Sequence, residues 1–157
     1  MFVIVDGMVK GNSVIFPQIV WRLRKNDVTL QHQMRNERME DTKALVETII
    51  KGIEEKKGSN IVVADLAGIE GTICHYFIIC QGNSPTQVEA ITESIGDFAR
   101  NEQGEKPAHV VGLENAQWVA MDYGDVLVHI FLPDVREYYD LEHLWDDAKL
   151  TRIPDLD

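Results

Sequence analysis

The sequence predicts an α/β (α+β) fold, in which a mixed β-sheet carries packed helices in the order α-β-β-α-β-β-β-α. Short β-branched apolar runs alternate along the chain with longer segments of helical periodicity. Near residue 124, a glycine-containing connection joins two apolar runs, as in an antiparallel hairpin. With 157 residues and 45% hydrophobic content, the chain is long enough for one domain with a sizeable core.

The first helix and the first two strands are predicted between residues 41 and 80. A helix over 41–57 is followed by Gly58, which fits a left-handed residue beyond the helix end. Strands over 61–66 and 73–80 are almost continuously apolar, so both are expected inside the sheet with both faces covered. The helix is predicted from an apolar stripe formed by Leu45, Val46, Ile49, Ile50 and Ile53.

The second helix has a clear start signal in the sequence. Ser84 is predicted at the N-cap, Pro85 at the first helical position and Gln87 two residues later, as in a capping box. The helix is expected to end before Gly104, and a short third strand is predicted over 108–111.

The last predicted elements are a hairpin and a helix. Strands over 118–121 and 126–131 flank the turn 122–125, and Pro133 ends the second strand because proline cannot donate to a sheet. A helix packed on the sheet is predicted from there to Trp145. The polar residues beyond it are expected to fray.

The chain is predicted to have three parts. Residues 1–38 lack a sustained pattern and are expected to be an irregular extension, 39–148 form the main domain, and 149–157 form a polar tail. We hypothesise that translation starts at Met34 or Met39. The intact mass of the natively expressed protein tests this, because a mass that includes residue 1 would contradict it.

Charge is distributed unevenly along the chain. Residues 1–38 carry six basic and three acidic side chains, so with −11 overall the remaining residues carry −14. Phosphate backbones repel so acidic a body, so little direct nucleic-acid binding is expected. The charge suits a basic protein partner, although it could equally serve solubility.

The apolar runs and cysteines indicate the compartment. No apolar run approaches the roughly 20 residues that span a bilayer, so no membrane association is expected. Cys74 and Cys80 lie six residues apart on one predicted strand face, roughly 20 Å apart and too far for a disulfide. A reducing, cytoplasmic location is the simple interpretation.

Catalytic patterns are weak in this sequence. Gly82 and Ser84 could hold a phosphate at a helix N-terminus and resemble the Gly-Ser of nucleotidyltransferases. Such enzymes need two carboxylates on one strand face, whereas Asp122 and Asp125 flank a turn. A capped helix and a tight hairpin turn explain these residues better than a nucleotidyltransferase site does. Neither cysteine has a cationic neighbour in the sequence, so no catalytic residue and no cofactor are predicted.

Metal binding is also not predicted. None of the histidines is paired with another histidine or a cysteine at ligand spacing. His129 lies inside an apolar strand, where a hydrogen-bonded structural histidine is the commoner outcome. The histidines considered are His75, His109, His129 and His143.

Aromatic residues surrounded by acidic ones suggest a protein-binding surface. Trp118, Tyr123, Tyr138, Tyr139 and Trp145 concentrate near carboxylates, as in protein–protein hot spots. The alternative is that some of them, Trp118 and Tyr139 first, build the core beneath the last helix.

The segment from Trp118 to Trp145 resembles the ribosomal silencing factor (Iojap-like) family. The shared features are Trp118, the turn 122–125, the strand end 129–131 and the helix 136–145, and the resemblance extends upstream to about Met39. It implies a nucleotidyltransferase-like fold without catalytic carboxylates in the domain 39–148. It also implies a non-enzymatic translational repressor that binds the large ribosomal subunit through ribosomal protein fourteen. Bound there, it would block joining of the small subunit. A monomer or weak homodimer is expected.

The resemblance also suggests which residues contact the partner. One departure stands out, because His75 occupies a position where the family usually has aspartate before the pair Tyr76-Phe77. This exchange is expected to affect partner binding if the aspartate contacts the partner. Partner contacts are expected from Asp122, Tyr123, Asp125, Tyr138, Glu142 and Trp145.

Overall fold

The computed structural model describes residues 16–72, 74–144 and 146–157, with side chains from residue 30 onward. The chain divides into two compact units, Met1–Asp41 and Thr42–Asp157. No helix in the described part of the chain is long and apolar enough to cross a membrane.

The described elements follow the predicted order up to the last helix and then add a strand. They are α1 (Phe16–Glu55), β1 (Ser59–Asp65), β2 (Tyr76–Gln81), α2 (Pro85–Phe98), a π-helical turn (Ala99–Gln103), β3 (His109–Val111), β4 (Trp118–Asp122), β5 (Val126–Phe131), α3 (Pro133–Tyr139), a 3₁₀ turn (Leu141–His143) and β6 (Lys149–Ile153).

Six strands form one mixed sheet in the described residues, in the order β3-β4-β5-β2-β1-β6. The central strands β2 and β5 are parallel, with Ile78 opposite Val128. All the other neighbouring pairs are antiparallel. The prediction of a mixed sheet with packed helices is therefore confirmed, as is the internal position of β1 and β2.

Helix α2 and the residues of α1 that belong to the second unit cover the first face of the sheet. Gly52 of α1 allows a close approach of the two helices, because a Cβ there would lie 2.9 Å from the Cα of Ile95. The core on this side includes Leu45, Ile49, Ile53, Ile61, Ile78, Cys80, Val88, Ile91, Ile95, Val119, Met121, Val128 and Ile130.

The start of α2 confirms the predicted capping box. The Ser84 hydroxyl accepts a hydrogen bond from the Gln87 backbone N–H at 3.1 Å, and Pro85 occupies the first turn. The Gln87 side chain also accepts from the Asn83 N–H at 2.8 Å.

The end of α1 differs from the prediction. Lys57, with φ 56°, takes the left-handed conformation that was predicted for Gly58. A Cβ at Gly58 would collide with the Ile53 side chain and lie 3.1 Å from Ile91. Glycine is therefore needed at Gly58 for packing space.

Two predictions for the chain ends are wrong in the described residues. Residues 16–38 lie in α1 and are not irregular, while residues 1–15 lie outside the described part. The described side chains from 30 to 38 are exposed, so this part of the helix needs no apolar stripe. Residues 149–153 do not fray but form edge strand β6, whose exposed side chains leave no alternating pattern.

Two local predictions are also corrected. The last helix ends at Tyr139 because Asp140 adopts a left-handed conformation with φ 45°, and a 3₁₀ turn follows. Cys74 and Cys80 are free, as predicted, but they lie in different apolar clusters. Cys74 precedes β2, so strand alternation does not relate the two thiols.

Candidate docking surface

The second face of the sheet presents a half-buried tryptophan at its surface. The Trp118 indole N–H donates to Nδ1 of His129 at 3.1 Å. Its ring lies 5.1 Å from that of Phe131 and 4.7 Å from that of Tyr139, between ring centres. Hydrogen bonding and ring packing therefore hold the indole in place on the sheet.

His129 supports this tryptophan as a neutral acceptor. The residue is only 8% exposed, and burial lowers the pKa of its ring from 6.5 to about 4. Because Nδ1 accepts from Trp118, the proton of the neutral ring lies on Nε2. The prediction of a hydrogen-bonded structural histidine is confirmed.

Beside the indole lies an open cleft of about 440 Å³, which we call the aromatic cleft. Tyr138 is 81% exposed and Tyr139 is 50% exposed, and their rings meet edge to face at 5.1 Å. Exposed aromatic side chains grouped in this way are typical of protein-binding surfaces. The aromatic cleft is lined by Asn115, Gln117, Trp118, Asp134, Val135, Tyr138 and Tyr139.

At the other end of β4 lies the hairpin turn Asp122–Asp125, which we call the acidic turn. Gly124 adopts φ 83°, and its N–H donates to the Asp122 carboxylate at 2.8 Å. The Asp125 carbonyl accepts from the backbone N–H groups of His75 at 2.8 Å and Tyr76 at 3.1 Å. The turn is therefore fixed to the start of β2, with its two carboxylates partly exposed.

Two histidines flank the acidic turn. Nδ1 of His75 lies 3.7 Å from the Asp125 carboxylate, and Nδ1 of His109 lies 3.7 Å from that of Asp122. The residue at which the chain departs from the family pattern, His75, is therefore a direct neighbour of a predicted contact residue.

Tyr123 belongs to the acidic turn, but its side chain points inward. It packs against the main core, and its hydroxyl is buried without a hydrogen-bond partner among the described residues. Burial raises its pKa to about 12. Tyr123 therefore offers a partner less of its surface than the two aspartates of the turn do.

Glu142 lies in an ion-pair cluster in which it and Arg136 are largely buried. Its side chain is only 13% exposed and accepts from Nε of Arg136 at 2.7 Å. Arg136 also donates to the Asn60 carbonyl at 2.7 Å, and Arg152 lies 3.5 Å from Glu142. This cluster connects α3, the 3₁₀ turn, β1 and β6, so the geometry gives Glu142 a structural role.

The predicted contact residues therefore fall into separate groups. Asp122, Tyr123 and Asp125 form the acidic turn, and Tyr138 lines the aromatic cleft. Trp118 and Asp122 are four residues apart on one strand, which separates the two features by roughly 13 Å. Glu142 is engaged internally, and Trp145 lies outside the described residues.

The Gly82–Ser84 turn uses several of its polar groups internally. The Gly82 N–H donates to the Phe131 carbonyl at 2.9 Å, while Ser84 caps α2. The Gln87 amide donates to the carbonyls of Lys56 and Lys57 at 3.1 Å each. These bonds tie the turn to the end of α1. In the part of the chain that the structure describes, no three histidine, cysteine or acidic side chains group as a metal site would require.

Sequence reasoning missed part of this surface. Asn115, Gln117 and Asp134 line the aromatic cleft but stand in loops or at a helix start, where polar residues are ordinary. Their position after apolar runs gave no distinguishing signal. Arg136 begins the helix 136–145 of the family pattern, but the sequence gave no sign that it organises the ion-pair cluster around Glu142.

Comparison with known proteins agrees with this architecture. The family model described as "Ribosomal silencing factor during starvation" matches residues 39–157. A ribosomal silencing factor of Bacillus subtilis is 41% identical over 111 residues, which are 71% of this chain and 92% of that protein. The chloroplastic protein Iojap of Zea mays is 35% identical over 82 residues, which are 50% of this chain and 34% of that protein.

A solved structure supports the same relationship. The crystal structure of a protein from Chromobacterium violaceum matches with a TM-score of 0.62 at 33% identity, covering 70% of this chain and 90% of that one. The family match covers most of the sequence, and the Bacillus subtilis relative matches over nearly its whole length. This chain therefore belongs to the ribosomal silencing factor family.

Proposed function

We propose that the protein represses translation by binding the large ribosomal subunit through ribosomal protein fourteen and thereby blocking the small subunit. Family membership supports a ribosome-associated, non-enzymatic regulator of subunit joining. The observation that carries the proposal is the second face of the sheet, where exposed aromatic rings of the aromatic cleft accompany the acidic turn. We place the action of the protein in the cytoplasm, as a monomer or weak homodimer.

Burial of the exposed rings gives the docking its driving force. Tyr138 stands 81% exposed next to the half-exposed Tyr139 on a seven-residue helix. Covering such rings removes apolar area from water at about 25 cal/mol per Å². Tyrosine also loses little side-chain entropy on binding, because only two torsions must be fixed.

Charge gives the docking its orientation. The chain carries −11, and the acidic turn presents Asp122 and Asp125 with partly exposed carboxylates. A basic partner is attracted over a distance and aligned by complementary potentials, which speeds association more than it strengthens the final complex. This part of the binding should therefore weaken as salt increases.

Occlusion requires only the volume of the folded domain. A bound domain that occupies the joining face excludes the small subunit without a chemical step. This is consistent with a nucleotidyltransferase-like sheet that serves as a scaffold, which we infer from the family resemblance.

The direct test is sucrose-gradient sedimentation of purified ribosomal subunits with and without the protein. Co-migration with the large subunit and loss of joined ribosomes are expected. Normal joining, with the protein left at the top of the gradient, would contradict the proposal.

Variants locate the binding surface. Tyr138→Ala and Asp125→Arg should each weaken co-migration, the first by removing exposed ring area and the second by reversing a charge. Glu93→Arg is the matched charge control, because Glu93 is exposed on α2, which covers the first face of the sheet. Unchanged co-migration of folded Asp125→Arg would move the interface away from the acidic turn.

The alternative function is a nucleotidyltransferase-like enzyme or nucleotide-binding protein that uses Gly82–Ser84. A Cβ at Gly82 would lie 3.2 Å from the Val88 backbone nitrogen, so the turn is closely packed on α2. A thermal shift with ATP and magnesium decides the question, because a ligand that binds only the folded state must raise the melting temperature. We expect no shift.

A further inference from the structure

We propose that the aromatic cleft binds a basic side chain of the protein partner, arginine foremost. The identity of the donor as a ribosomal protein depends on the proposed function, whereas the preference for a cation depends on the cleft alone. Three features of the cleft support this preference: its aromatic rings, its carboxylate, and an indole N–H that is already engaged within the protein.

The rings form a surface that attracts cations. Trp118, Tyr138 and Tyr139 line the cleft, and Tyr138 is 81% exposed and Tyr139 50% exposed, so the rings of both tyrosines present surface to a ligand. The faces of tryptophan and tyrosine rings are electronegative and attract a guanidinium or ammonium group within about 6 Å. An open cleft of about 440 Å³ gives a single long side chain room to enter.

The carboxylate of Asp134 supplies a counter-charge at the same place. Asp134 lines the cleft, is exposed, and forms no ion pair with any residue that the structure describes. Arg136, the basic residue of the same helix, does not neutralise Asp134, because it pairs with Glu142 inside the fold. The acidic group of the cleft is therefore free to pair with an incoming cation.

The Trp118 side chain has no hydrogen-bond donor available for an anion. The only N–H of its side chain is already donated to His129 at 3.1 Å. A carboxylate or phosphate in the cleft would therefore face Asp134 and the ring faces without a donor from the indole. The net charge of −11 opposes such a ligand as well.

Arginine fits this arrangement better than lysine. Its planar guanidinium stacks on aromatic faces and presents a fork of donors that matches a carboxylate. Gln117 also lines the cleft, and its amide oxygen is an acceptor for guanidinium N–H groups. Lysine can supply the charge but neither the stacking plane nor the fork.

The test uses small molecules and the full chain. N-acetyl-arginine methylamide is titrated into the ¹⁵N-labelled protein while the Trp118 indole signal is followed by NMR, with N-acetyl-norleucine methylamide as the neutral control. N-acetyl-lysine methylamide is titrated in the same way. We expect a saturable shift with the arginine compound, a weaker shift with the lysine compound and no shift with the norleucine compound. Equal effects of arginine and norleucine, or no saturable shift with arginine, would overturn the proposal.

Variants separate the carboxylate from the rings. Asp134→Asn should weaken arginine binding several-fold, whereas Glu137→Gln should leave it unchanged, because Glu137 is an exposed carboxylate of the same helix outside the cleft. Tyr138→Leu should weaken it without changing the charge. If melting curves show all three variants folded and Asp134→Asn binds as well as Glu137→Gln, the carboxylate has no role and the proposal fails.

The titration and the gradient experiment fail independently. Arginine binding in the cleft without co-migration of the protein with the large subunit would refute the proposed function and leave the cation site standing. Co-migration of the protein with the large subunit without arginine binding would refute the cation site and leave the proposed function standing.

Discussion

Protonation of His129 should destabilise the fold at mildly acidic pH. Burial lowers the pKa of the ring from 6.5 in the unfolded chain to about 4 in the folded protein. The unfolded chain therefore takes up the proton first as the pH falls. The stability contributed by the neutral ring is complete above pH 6.5, decreases below it, and is lost as the pH falls through about 4.

The size of the effect follows from this shift. At about pH 5.5, roughly nine-tenths of the unfolded chains are protonated at this position but almost no folded molecules are. This lowers the free energy of unfolding by about 1.4 kcal/mol relative to about pH 7.5. At about pH 4.5 the loss reaches roughly 2.5 kcal/mol.

Urea unfolding of the wild type and of His129→Asn, each at about pH 7.5 and about pH 5.5, measures this loss. Asparagine does not titrate and places an oxygen acceptor near the position of Nδ1, where Trp118 donates. The difference between the two proteins removes the contributions of the carboxylates, which both share. That difference should change by about 1.4 kcal/mol between pH 7.5 and 5.5. A difference that stays constant within a few tenths of a kcal/mol would refute the reasoning.

Three further outcomes are expected. Gly52→Ala should lower the unfolding free energy by about 1–3 kcal/mol because its Cβ would lie 2.9 Å from the Ile95 Cα, whereas Gly96→Ala, with open space at its Cβ, should raise it by about 0.5–1 kcal/mol. Equal effects of the two in chemical denaturation would contradict the packing argument. Glu142→Gln should cost about 3–5 kcal/mol in the same assay, because it leaves the buried Arg136 charge without its counter-charge. If Glu142 instead contacts the partner, its replacement should weaken ribosome binding and barely change stability.

The elements that sequence predicted well have strong local signals. The capping box at Ser84 and the hairpin around Gly124 depend on short-range chemistry, and the structure confirms both. The buried strands β1 and β2 were visible because both their faces are covered, which requires continuous apolarity.

Two features that could not be predicted from the sequence are strand β6 and the end of the last helix. Strand β6 exists because β1 offers it an open edge, and its own residues from Lys149 to Ile153 carry little strand signal. The break at Asp140 is likewise a single left-handed residue inside a segment with helical periodicity. Local pattern cannot reveal either feature, because each is decided by a distant neighbour or one backbone torsion.

The candidate surface was only partly predictable for the same reason. The turn that carries Asp122 and Asp125 was identified, and Tyr138, which was proposed as a contact residue, is exposed. Nothing in the sequence showed that Glu142 would pair with two arginines, or that Asp134 would share a cleft with Trp118.

The pairing of β6 with β1 has a consequence for the order in which the molecule is made. Strand β1 leaves the ribosome long before β6 is translated. The outer edge of β1 therefore stays unpaired, at Val63 for example, until Thr151 of β6 is available to pair with it. Until then the nascent domain exposes an unpaired edge, which is a site for pairing with other chains. Release of the last strand therefore completes the sheet. A pause in translation between β5 and β6 would prolong this vulnerable interval.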